Sequence, residues 1–121
     1  HTFIFLTKNP KRYSQFDFPK NAWIGYSTTG ALYHKWDSRH KDNIKFTSIE
    51  PMMGDMVNTE YLHDTQWIIC GKESGNRKER ISPEPDWIER LIKITKQLDI
   101  KLFLKNNLQY HPLIQEFPVQ D

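Results

Sequence analysis

Seven residues able to do chemistry stand at or just past the ends of short apolar runs: Lys8, Ser27, Glu50, Lys72, Glu73, Ser74 and Lys105. A carboxylate accepts hydrogen bonds from ammonium or hydroxyl groups, and a lysine ammonium offers three donors to a carboxylate or phosphate. Gathered at one rim, three lysines and two glutamates would suit an anionic or zwitterionic ligand. The plainer reading is that strand ends meet water in any fold and collect charge there. The segment FTSIEPMMG (46–54) poses the choice directly. Its apolar run delivers Glu50, Pro51 stops the strand from running on, and Gly54 permits a turn over the rim.

The segment CGKESGNRKER (70–80) is flanked by glycines. It could cradle a phosphate or carboxylate with backbone N–H groups and the Lys72 ammonium. It has neither the GxGxxG pattern nor the P-loop spacing, so no nucleotide fingerprint is present, and a loop of tight turns is the plainer reading. In HKWDSRH, His34, Asp37 and His40 lie three apart. On a helix the first and last would point about 120° away from each other, so the set does not converge on one metal. Cys70 sits inside an apolar run and reads as a small packed hydrophobe. Met52, Met53 and Met56 read as core filling or as one wall of a pocket.

These residues need elements to position them. Five runs are short and rich in Ile, Phe, Trp and Thr: 2–8, 22–28, 44–50, 65–73 and 100–106. They predict strands, and their near-continuous apolar character predicts burial on both faces, as in parallel sheets. Between them, 83–99 carries Trp87, Leu91, Ile94 and Leu98 on one helical stripe with Ile88 beside it. Ser82 would cap this helix and Pro83 would open it. Residues 10–16 and 32–41 are weaker helix candidates. Trp87 belongs in the helix–sheet core, and Trp36 is expected to be partly exposed. The alternation predicts an α/β fold, either a partial (β/α) barrel or an open parallel sheet of about five strands with flanking helices. In such folds sites form at the carboxyl ends of the strands. Residues 1–107 form the body, and 108–121 an irregular tail lying on it through Leu113, Ile114 and Phe117.

At 121 residues the chain has room for one modest core. Its 17 basic and 15 acidic residues are interspersed and leave a net charge of +2, too slight to point to nucleic acid. No apolar run approaches the roughly 18 residues of a membrane helix, and no secretory pattern is present, so a cytoplasmic location is expected. One cysteine excludes an internal disulfide and a self-contained cysteine-held zinc or iron–sulfur site. The first residues run at once into a strand, which suggests a fragment of something longer.

The segments FLTKNPKRY, WIGYST, SIEPMMG, WIICGKESG, DWIERL, FLKNNL and LIQEFP occur in this order along nearly the whole chain. Together they resemble a family of phage-related, uncharacterised proteins that are similar to radical S-adenosylmethionine (SAM) enzymes and, distantly, to the spore photoproduct lyase group. The resemblance implies that this chain is the C-terminal half of a partial (β/α) barrel whose N-terminal half carries the cysteine cluster. By itself the fragment is then expected to bind no cofactor. S-adenosylmethionine and a 4Fe–4S cluster would belong to the full-length protein, with the missing N-terminal half as partner. The resemblance implies that Thr7, Lys8, Ser27, Glu50 with Pro51, Glu73 with Ser74 and Gly75, and Lys105 face SAM or the substrate, and of these Ser27, Glu50, Glu73 and Ser74 are expected on the cofactor side. The lysines Lys8, Lys72 and Lys105 then suit a substrate or anion. The family's GGESG reads CGKESG here, which places Cys70 and Lys72 where the pattern differs. The alternative is a non-catalytic α/β binding module for nucleic acid or another anionic ligand, using Lys72, Arg77, Lys78 and Arg80.

Overall fold

Where β-branched and aromatic residues cluster, the chain forms five short strands laid side by side in one parallel sheet. The computed structural model describes residues 1–29, 34–54, 62, 64–72 and 83–118. The strands are β1 (Phe3–Thr7), β2 (Ala22–Thr28), β3 (Ile44–Ile49), β4 (Trp67–Cys70) and β5 (Lys101–Leu104). Each lies within a run predicted from sequence. The fold is α/β, and the sheet is open, with order β1-β2-β3-β4-β5. Every strand pairs with its predecessor, so the chain winds one way across the sheet and the strand order never reverses.

The helix α1 (Pro85–Gln97) starts later than predicted. Pro85 takes its first position and forces Glu84 into an extended conformation, so Glu84, not Ser82, is the capping residue. Ser82 itself lies outside the described residues. The helix ends with Leu98 as its cap and Asp99 in the left-handed region at φ 56°. Its buried line is Ile88, Leu91 and Thr95, with Trp87, Ile94 and Leu98 half-buried to the sides. The predicted stripe is therefore rotated toward Ile88. The weaker candidates lack an apolar stripe and, among the described residues, form 3-10 turns at Pro10–Gln15 and Ser38–His40.

The two sheet faces differ in chemistry. One face presents Ile49, Ile68, Cys70, Leu102 and Leu104, which pack with Ile88 and Leu91 of α1 and with Met52 and Leu62, while Ile24 on the same face packs in a second cluster. Tyr13, Tyr26 and Trp36 extend this layer beside β2, and Trp36 is buried rather than partly exposed. Rings on several sides take it out of water: Tyr13 stacks on it at 6.0 Å, and Tyr26 and His34 meet it at 5.6 and 5.5 Å. The other face carries Trp23, Phe46, Trp67 and Phe103, with Trp23–Trp67 and Phe46–Trp67 ring centroids 5.6 and 5.5 Å apart. No described helix covers it.

Burial on both faces holds for β3, whose six residues are all buried, but not for β1. Phe3, Ile4, Phe5 and Leu6 are 52%, 57%, 43% and 58% exposed. Among the described residues β1 has a neighbour on one side only, so its edge and both its faces meet solvent. At the opposite edge the tail crosses β5. Leu104 N–H donates to the Ile114 carbonyl at 2.7 Å, Glu116 N–H donates to the Leu102 carbonyl at 2.8 Å, and Phe103 bridges Gln115 antiparallel. Phe117 rests on Trp67 and Phe103, and Ile114 packs against the core, whereas Leu113 points to solvent.

Candidate functional site

The parallel ladders run one rung beyond the strands at their carboxyl ends. Glu50 N–H donates to Thr28 O at 3.1 Å, Gly71 N–H to Ile49 O at 3.1 Å and Lys105 N–H to Cys70 O at 2.9 Å. Since Ile49, Cys70 and Leu104 are in register, Glu50, Gly71 and Lys105 form the next row, on the aromatic face. The row closes on itself through an ion pair, with Lys105 Nζ 2.7 Å from Glu50 Oε1. Ser48, two residues before Glu50 and on the same face, donates its hydroxyl to Glu50 Oε1 at 3.2 Å. The Glu50–Pro51 peptide is cis.

Gly71 makes the pair possible. A Cβ there would lie 3.0 Å from Lys105 Cδ and 3.3 Å from Glu50 Cγ and Cδ, so the two side chains meet directly above a residue with no side chain. The carboxylate side chain is 25% exposed and the lysine side chain 43%. An ion pair this open contributes about 0.2–1 kcal/mol, so it serves chemistry and position more than stability.

The other predicted residues stand at different distances from this pair. Ser27 is in register with Ser48 on the same face, one strand away. Lys8 follows the last residue of β1, exposed, at a bend where Thr7 Oγ1 accepts the Asn9 N–H. With strands about 4.8 Å apart, Lys8 and Lys105 are separated by roughly 19 Å of sheet, so one small anion cannot touch both. Lys72 is tied through its backbone, which exchanges two hydrogen bonds with the Asn107 side chain, each 3.3 Å long. Glu73, Ser74, Arg77, Lys78 and Arg80 lie outside the described residues, as does Met56. Met52 is wholly buried beside Cys70, and Met53 is exposed, so the methionines do not form one wall.

Cys70 turns toward the opposite, helix-covered face. Burial, reinforced by the Glu50 charge, pushes its thiol up to about 12. His34, Asp37 and His40 have separate partners. Asp37 Oδ1 accepts the Arg39 N–H, His40 Nε2 lies 2.8 Å from Phe16 O, and the His34 N–H donates to Tyr26 Oη. Among the described residues no group of three His, Cys, Asp or Glu could hold a metal ion.

Three larger surface cavities lie away from the row. One of about 460 Å³ opens between the end of α1, the start of β5 and the tail. Another, of about 510 Å³, lies at the amino end of β3 and β4 beside Lys45 and Gln66. A third, of about 340 Å³, lies beside β1 among Phe5, Tyr13, Phe16 and Phe18. The Glu50–Lys105 pair lines none of these three, and its chemistry is what marks it out. Sequence reasoning missed Ser48 and Asn107. A period of two from Glu50 was a usable signal for Ser48; Asn107 gave none.

Residues 1–116 match the model of a protein family described as "Protein of unknown function (DUF5131)". The chain belongs to this family. The match covers the open sheet and the tail as far as Glu116 of this DUF5131 chain. No curated protein and no solved structure matches it. Among its described residues no helix is long and apolar enough to cross a membrane.

Proposed function

We propose that this DUF5131 chain supplies one wall of a ligand-binding mouth in a larger, phage-related, radical-SAM-like protein. The observation that carries the reading is the placement of the Glu50–Lys105 pair. It stands at the carboxyl edge of a sheet wound in one direction, above an aromatic face that no described helix covers. Barrel-type α/β folds bind ligands at this edge, with the uncovered face turned inward.

In this reading Glu50, with Ser27, Glu73 and Ser74, accepts hydrogen bonds from an ammonium or from ribose hydroxyls of S-adenosylmethionine. Lys105 releases Glu50 to such a donor and takes up a carboxylate, so the pair opens to receive a zwitterion. Lys8 and Lys72 would meet an anionic part of the substrate, and the roughly 19 Å between Lys8 and Lys105 suits an extended ligand. A 4Fe–4S cluster would supply one-electron reduction of the bound cofactor. The single cysteine here is buried and held protonated, so its ligands must come from the N-terminal half. The exposed apolar row of β1 gives that half a place to join the sheet.

The test is anaerobic reconstitution, with iron and sulfide, of the longer polypeptide that contains this chain. Visible iron–sulfur absorbance and reductive SAM cleavage that falls in Glu50→Gln are expected. A reconstituted protein showing neither absorbance nor cleavage would remove the radical-SAM reading.

A further inference from the structure

We propose that Asn107 is a positioning residue whose side-chain amide sets the spacing across which Lys105 reaches Glu50. This rests on reading the Glu50–Gly71–Lys105 row as the ligand-facing rim. The last backbone rung between β4 and β5 is Lys105 N–H to Cys70 O. Beyond it Asn107 supplies a substitute rung: Oδ1 accepts the Lys72 N–H at 3.3 Å, and Nδ2 donates to the Lys72 carbonyl at 3.3 Å. A primary amide carries the same donor and acceptor pair as a peptide group, so it can extend a ladder by one step.

The residues it joins stand close behind Gly71 and Lys105, the two that bracket the ion pair. On the outer side of β5, Gln115 Nε2 donates to the Leu104 carbonyl at 3.0 Å and to Asn106 Oδ1 at 2.8 Å. Side-chain amides therefore tie down the residues that flank Lys105, Leu104 before it through Gln115 and Asn107 after it through Lys72. The clearance above Gly71 is narrow, 3.0 Å to Lys105 Cδ and 3.3 Å to the Glu50 side chain. A shift of a few tenths of an ångström between β4 and β5 moves the ammonium relative to the carboxylate. Both polar ends of the Asn107 amide are engaged, which makes it a brace for the rim and not a ligand contact.

Trace labelling of lysines with acetic anhydride, read by peptide mass spectrometry, tests this on the chain itself. The readout is the labelling rate of Lys105 divided by that of Lys8, which has no ion pair to Glu50. Freeing an ammonium from an exposed carboxylate should raise the ratio about two- to fivefold in Glu50→Gln. Asn107→Ala should raise it to the same level, and Asn107→Asp, which keeps the acceptor and loses the donor, to an intermediate one. Lys96 and Lys101 act as controls whose ratios to Lys8 stay fixed, as a general loosening of the fold would not allow. A wild-type ratio in Asn107→Ala beside a raised one in Glu50→Gln overturns the proposal. An unchanged ratio in Glu50→Gln does so too, because the pair would not be closed in solution. Should Asn107→Ala fail to fold, Asn107→Asp decides by the same criterion. None of these results depends on cluster reconstitution, so this inference and the proposed function fail separately.

Discussion

The ring of Phe46 fills the space that a side chain on Gly25 would need: a Cβ there would meet ring carbons at 2.4 to 2.5 Å. Gly25 and Phe46 are in register on neighbouring strands, so the ring lies across β2 as part of the aromatic face. Gly25→Ala should therefore destabilise the chain by about 1–3 kcal/mol through overpacking. Thermal unfolding followed by circular dichroism measures this. Phe46→Leu in the same chain should recover part of the loss, because the two changes share one space. A Gly25→Ala chain as stable as the parent would contradict the packing described.

Lys45 is a buried cation whose Nζ is held by backbone carbonyl oxygens, with the Asp64 and Asp42 carboxylates acting on it at longer range. Its Nζ donates to His40 O at 3.1 Å and Asn43 O at 2.8 Å and lies 3.5 Å from Lys41 O. Lys45→Met keeps the length and removes the donors, leaving those carbonyls without their partner. A cost of about 1–3 kcal/mol in urea unfolding is expected. A neutral result would mean that water replaces the ammonium at no cost.

Cys70 should resist thiol reagents at pH 8 in the native chain and react at once in denaturant, because its thiol is buried and held protonated. Its folded value of about 12 lies above the ordinary 9.0. The unfolded chain then releases this proton first, so the stabilisation is complete below pH 9 and drains away between pH 9 and 12. Subtracting the urea stability of Cys70→Ala from that of the parent isolates the effect. A difference that stays flat across that window would exclude it.

The exposed row on β1 predicts concentration-dependent self-association of the isolated chain. Leu6→Lys should suppress it in light scattering and reduce binding of an apolar dye. Because Leu6 is already in solvent, its unfolding free energy should change by no more than about 0.5 kcal/mol. Large destabilisation would instead mean that β1 is packed in solution.

Much of this architecture could be read from residue types. The five strands and α1 announce themselves through runs and a helical stripe, because burial selects apolar residues at the period of the element. What escaped depends on relationships between elements. The rotation of α1 toward Ile88 follows from how it meets β4 and β5, and the burial of Trp36 depends on Tyr13, more than twenty positions earlier. The exposure of β1 was hidden because its composition is that of an interior strand. Glu50 and Lys105 were each identifiable as strand-end charges, yet their pairing needs the register of three strands and a glycine between them. Asn107 and Gln115 act through side-chain amides laid on backbone groups, and nothing in composition or spacing marks that use.

The contrast between the two sheet edges gives the molecule a direction. At β5 the tail consumes outward-facing backbone groups and ends the ladder with an antiparallel bridge, while β1 offers a parallel template. Among the described residues the edge left open to further pairing is therefore that of β1. The tail thus behaves as a chain terminator for β-pairing, covering the β5 edge beside Lys105 in the way that proteins protect exposed sheet edges.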